Sequence, residues 1–171
     1  KDILMENNQL PILLSVIALI LSVLALTSKN KTASTPVPEA GPDTRSLRLQ
    51  AYERLVLLTE RIALPNLISR LAQPGISAFQ MKLLLLENIK QEFDYNSTQQ
   101  LYVSEIAWDS IRNLKEQNLA LIHQVSASLL PEANGSELNK RLLEMLMQQS
   151  NTPLHEIVAK TLNQEAKTLM K

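Results

Sequence analysis

"SAFQMKLLLLENIKQEFDY", Ser77 to Tyr95, carries both a helix-starting pattern and an unbroken run of leucines. Ser77 with Gln80 three residues on forms a capping-box pattern, so a helix begins here. No glycine or proline interrupts it before Tyr95. Phe79, Leu83, Leu86, Ile89 and Phe93 recur at helical spacing, which predicts one apolar stripe. The run Leu83, Leu84, Leu85 and Leu86 complicates that stripe, because four consecutive leucines cover every side of a helix. Either the helix is central and buried all round, or part of the run faces a second surface.

Helical punctuation continues on both sides. Leu47, Ala51, Leu55, Leu58 and Ile62 mark a helix from about Thr44 to Ala63, and Pro65 interrupts it. A short helix from Pro65 to Ala72 follows, and Gln73-Pro74-Gly75 is a turn. Asn96 to Ser104 is ambiguous, with Ser97 and Gln100 suiting a cap and Leu101-Tyr102-Val103 suiting a brief extended piece. A long helix runs from Ser104 to Leu130, with Ala107, Ile111, Leu114, Leu121, Val125 and Leu129 in line. Asn118 on that stripe is either a buried register device or a solvent-edge residue. Asn134-Gly135 turns the chain, and Ser136 opens a helix to Gln149. Thr152-Pro153 is an N-cap and first-position pair. The helix it opens carries Leu154, Val158, Leu162, Ala166 and Leu169. The expected fold is all-α: a small antiparallel bundle of about five helices over residues 47–171.

The N-terminal part differs. Leu10-Pro11-Ile12-Leu13-Leu14-Ser15-Val16-Ile17-Ala18-Leu19-Ile20-Leu21-Ser22-Val23-Leu24-Ala25-Leu26 carries no charge. As a helix these residues span roughly 25 Å, and Gln9 and Thr27 extend it towards the ~30 Å hydrocarbon thickness. No polar stripe is present to meet water. A buried soluble helix would need a larger host, and a cleaved signal peptide a basic head. The reading is an uncleaved transmembrane helix over residues 10–27, behind a short extracytoplasmic head at 1–9. Lys29, Lys31, Arg45 and Arg48 follow the span and only Lys1 precedes it. The positive-inside bias then places the C-terminal bulk in the cytoplasm, at the inner membrane. "SKNKTASTPVPEAGPDTRS", Ser28 to Ser46, is a Pro/Ser/Thr-rich tether.

Composition limits the chemistry. Seventeen basic residues balance seventeen acidic ones, which argues against a nucleic-acid partner. There is no cysteine, hence no disulfide or thiolate. His123 and His155 lack the i, i+4 companion of a zinc helix, and Glu87, Glu92 and Asp94 lack the Glu-x-x-His partners of a di-metal site. No catalytic residue, metal site or cofactor is expected. Apolar surplus is the positive signal. Beside Leu83 to Leu86, the residues Leu143, Met145, Leu146 and Met147 form a second rich patch, and Trp108 is an anchor for either. These nine residues are the candidate face for a protein partner or a homo-oligomer.

One resemblance adds to this. "LQAYERLVLLTERIALPNLISRL" (Leu49 to Leu71) and "EFDYNSTQQLYVSEIAWDSIRNLKE" (Glu92 to Glu116), behind a span and a Pro-rich tether, resemble an uncharacterised family of small bacterial membrane-anchored proteins. Tyr52-Glu53-Arg54-Leu55, Glu60-Arg61, Asn66-Leu67 and Gln99 to Ser104 with Trp108 carry the likeness. It implies anchoring and a cytoplasmic helical domain, and it brings no activity. The expected role is a membrane-anchored, non-catalytic interaction module, an adaptor or accessory subunit. The alternative is an enzymatic or ligand-binding domain whose site is scattered in sequence.

Overall fold

The structure, a computed structural model, describes residues 42–148 and 152–171. The expected head, span and tether up to Gly41 lie outside the described residues. Among the described residues, no helix is long and apolar enough to cross a membrane.

Six α-helices and one 3₁₀ turn make up the described chain, and it holds no strand. They are α1 (Pro42–Ile62), α2 (Leu64–Leu71), α3 (Ala78–Tyr95), the 3₁₀ turn (Ser97–Leu101), α4 (Glu105–Ala127), α5 (Gly135–Gln148) and α6 (Leu154–Leu169). The first helix begins at Pro42, inside the stretch expected to be tether. Proline is tolerated there because the first turn's N–H groups lack partners anyway. Pro65 lies in the first turn of α2 and Ala63 forms the elbow before it. Asn66 Nδ2 donates to Glu60 O at 3.1 Å and Arg70 Nη2 to Arg61 O at 3.3 Å, occupying carbonyls at the end of α1. Gly75 has φ +80°, the left-handed conformation that the turn requires.

The expected cap at Ser77 is present in both directions. Gln80 N–H donates to Ser77 Oγ at 3.2 Å, and Ser77 N–H donates to Gln80 Oε1 at 2.9 Å. Ser104 caps α4 through Ala107 N–H at 3.0 Å. Two expected caps are displaced. The Asn134 side chain, not Ser136, accepts from Glu137 N–H at 3.0 Å, so α5 begins at Gly135. Thr152 does not cap α6; Pro153 holds the cap position without a side-chain bond. The ambiguous segment is neither capped nor extended but a 3₁₀ turn.

Three long-range registers define the bundle. Tyr52, midway along α1, meets Glu165 in the last turns of α6, and Ala63 and Leu64, just past the end of α1, share a recess with Leu154 and His155 at the start of α6, so α1 and α6 run antiparallel. Ser104 lies at Tyr52, and Asn118 Nδ2 donates to Ile62 O at 2.8 Å, so α4 runs parallel to α1. Asn118 is buried there. The turn between α3 and α4 sets them antiparallel, with the Phe93 and Trp108 rings 5.0 Å apart. Turns before α3 and α5 are laced by Ala78 N–H to Ala133 O and Gly135 N–H to Ile76 O.

One apolar core fills the space between these helices. Leu55, Leu58 and Ile62 of α1, Met81, Leu85 and Ile89 of α3, Ile111 and Ile122 of α4, Leu138 and Leu142 of α5, and Val158 and Leu162 of α6 meet in it. Burying each such side chain contributes about 1.5–3 kcal/mol. Residues 42–171 form one compact unit. The expected stripe of α3 is rotated: Ala78, Met81, Leu85, Leu86 and Ile89 face inward, while Phe79 and Leu83 face water. The four leucines make several faces equally apolar, so the neighbouring helices choose between them.

Candidate functional site

The nine residues of the expected partner face scatter. Leu85 and Leu86 are inside the core and belong to no outer surface. Leu84 is half-buried and Leu83 is 49% exposed. Trp108 packs against Phe93, with Lys115 Nζ over the other ring 4.3 Å from its centroid. On α5, Leu143, Met145 and Leu146 are half-buried against the core, and Met147 is 85% exposed. The structure therefore makes no single patch of them.

Three polar arrangements are assembled instead. In the first, the Tyr52 hydroxyl donates to Glu165 Oε2 at 2.6 Å. Ser104 Oγ donates to the same oxygen at 2.7 Å, and Ser104 N–H donates to the Tyr52 oxygen at 3.2 Å. Burial, then the Glu165 carboxylate, raises the Tyr52 phenol above its usual pKa of 10.0. The carboxylate lies near the N-terminus of α4, where the helix dipole favours negative charge. Each partner is held by another, and the bonds join α1, α4 and α6.

In the second, Arg61 Nε donates to Glu92 Oε1 at 2.7 Å, and Arg70 Nη2 approaches the same oxygen at 3.9 Å. Asn66 Nδ2 also reaches Glu60 Oε2 at 3.0 Å. The Glu92 carboxylate raises the Arg61 pKa through its hydrogen bond and its charge. This set fixes the α1–α2 elbow and ties it to α3. It accounts for Glu60, Arg61 and Asn66 within the sequence resemblance, as the first set accounts for Tyr52 and Ser104.

The third is a recess of about 270 Å³ between the elbow, α4 and the start of α6. Leu64, Leu114, Leu121, Leu146 and Leu154 give it apolar walls, while Gln117, Asn118, Gln124 and His155 add polar groups. Among the described residues, no carboxylate, lysine or arginine lines it. His155 lies here, half-buried, whereas His123 is exposed on α4. Among the described residues, no three His, Asp or Glu side chains converge as a metal site would need. His155 is one of the two histidines around which a polar pocket would favour the ligand-binding alternative, but the walls of the recess come from segments up to about ninety residues apart, which no local pattern joins.

No curated protein and no solved structure matches the chain. The sequence profile of a family of unknown function, DUF7935, matches residues 4–169. With nearly the whole sequence inside that match, the chain belongs to the family of unknown function DUF7935.

Proposed function

We propose that the protein is a membrane-anchored helical interaction module, a non-catalytic adaptor or accessory subunit. The carrying observation is the uncharged run Leu10 to Leu26, which falls inside the family match together with the helices behind it. A segment apolar on every side favours lipid over water, and the helical unit of residues 42–171 has its own core. The Pro-rich stretch between them suits a tether, and tethering strengthens a weak contact by raising local concentration. The cations after the run favour a cytoplasmic bundle. Leu19→Arg with Ile20→Arg is expected to release the full chain from carbonate-washed membranes, since each charge at mid-bilayer costs about 2.5–3.5 kcal/mol. Retention in the pellet would remove the span.

The recess beside His155 favours a second reading, a binding site for a small neutral ligand. Apolar walls with a few amide and imidazole groups are what such sites use, at the small end of their usual size. Ligand-observed NMR with neutral aromatic fragments tests it. Hits that vanish in Leu121→Trp would support the site, and hits indifferent to that change would dismiss it.

A further inference from the structure

One end of the bundle gathers exposed apolar side chains and cations. It holds the start of α1, the turn into α4 and the end of α6, because α6 is antiparallel and α4 parallel to α1. Arg48 Nε donates to Tyr102 O at 3.3 Å across it. Leu47, Leu101, Tyr102, Ile106 and Met170 are all exposed here. Four cations accompany them: Arg45, Arg48, Lys167 and Lys171. None has a carboxylate partner among the described residues. Among the described side chains, the exposed acids on this part of α1 and α4 are Glu53, Glu105 and Asp109, the last paired with Arg112, while the Glu165 carboxylate is engaged by Tyr52 and Ser104.

We propose that this end of the bundle docks on the surface of an anionic lipid bilayer. Apolar tips accompanied by Lys and Arg suit the headgroup boundary: the tips reach acyl carbon and the cations meet anionic headgroups. Chain connectivity selects lipid over a soluble partner. Only residues 27–41 separate the uncharged run from α1, a connection of at most about 55 Å when fully extended. This last step rests on the reading that Leu10 to Leu26 lies in lipid; the apolar and basic side chains stand without it.

The absence of cysteine makes the test clean. Ile106 and Leu130 are each 69% exposed, one in the first turn of α4 and the other beyond its last. Ile106→Cys and Leu130→Cys, each in the full chain, are labelled with an environment-sensitive fluorophore. The labelled proteins are placed in phosphatidylcholine vesicles with and without phosphatidylserine. Docking gives a blue shift at 106, quenching by a lipid-borne quencher, dependence on phosphatidylserine, and no response at 130. Arg45→Glu with Lys171→Glu weakens the response, at about fivefold in the docking equilibrium for each cation removed. Equal signals at 106 and 130 overturn the proposal. So does a shift at 106 that lipid quencher never touches, which would mean a second copy or another protein covers this end. The carbonate wash separates the two readings. A chain that stays in the pellet with 106 unquenched keeps its anchor and loses the docking surface. A chain that washes out yet shows quenching at 106 loses the anchor and keeps the surface.

Discussion

Tyr52 is buried, and its hydroxyl serves two partners: it donates to Glu165, which otherwise keeps only the Ser104 hydroxyl, and accepts from the Ser104 N–H. Tyr52→Phe is expected to cost about 1–3 kcal/mol at neutral pH, measured by urea unfolding. The sign of its pH dependence is fixed. The folded-state pKa is raised, so the native state holds the phenol proton more tightly than the unfolded chain. That contribution is fully present below the usual value of 10.0 and is lost as pH rises through it towards the folded value. The stability gap between wild type and Tyr52→Phe therefore narrows above pH 10 and is constant near neutrality. A gap that widens there would contradict the bonding. Asn139 behaves oppositely: its Oδ1 is buried on α5 with no donor among the described residues. Asn139→Leu is expected to be neutral or to stabilise by about 1 kcal/mol, whereas Asn139→Asp leaves an unpaired charge and destabilises. Thermal denaturation of the pair decides.

At the scale of elements, the two described glycines separate two physical effects. At Gly135, the first residue of α5, a Cβ would lie 3.0 Å from Ile76 Cγ1 and 3.1 Å from Met81 Cβ. Gly135→Ala therefore requires Ile76 and Met81 to yield by a few tenths of an ångström, and is expected to cost about 1 kcal/mol. At Gly75 a Cβ meets nothing within 4 Å, but φ is +80°. Gly75→Ala is expected to cost only the backbone term, about 1–2 kcal/mol. Crystallography or amide exchange distinguishes them: the first loosens the Ala78–Ala133 and Ile76–Gly135 bonds, and the second leaves them in place. Helix starts were legible where a serine could cap, as at Ser77 and Ser104, since that chemistry is local. Thr152 had the right residue type, but α6 begins with Pro153 in the cap position and no side-chain bond.

For the whole molecule, α6 closes the core by lying along α1. Residues 42–171 alone are expected to give a helical circular dichroism spectrum and one cooperative unfolding transition. Removing residues 152–171 strips Val158 and Leu162 from the core and uncovers the Tyr52 face of α1. That shortened chain is expected to bind an apolar dye and to lose the cooperative transition. If it unfolds as sharply as the intact unit, the last helix is an accessory to a core complete without it. Of the candidate site, the sequence made the apolar surplus legible but not its arrangement. Four leucines in a row carry no phase, so the inward turn of Leu85 and Leu86 and the outward turn of Leu83 came only with the neighbouring helices.

Local residue order suffices to make the chain behind residue 41 helical and to set, nearly, where each helix begins and ends. Capping groups, prolines and apolar spacing act over three or four residues and need no partner from afar. Which helices run side by side, which leucines are covered, and the meeting of Tyr52, Ser104 and Glu165 follow from packing of the folded chain. The last of these residues is 113 positions from the first, and nothing local marks such a pair. Their meeting depends on how the helices pack around a shared core, which fixes long-range neighbours that no short window of sequence contains.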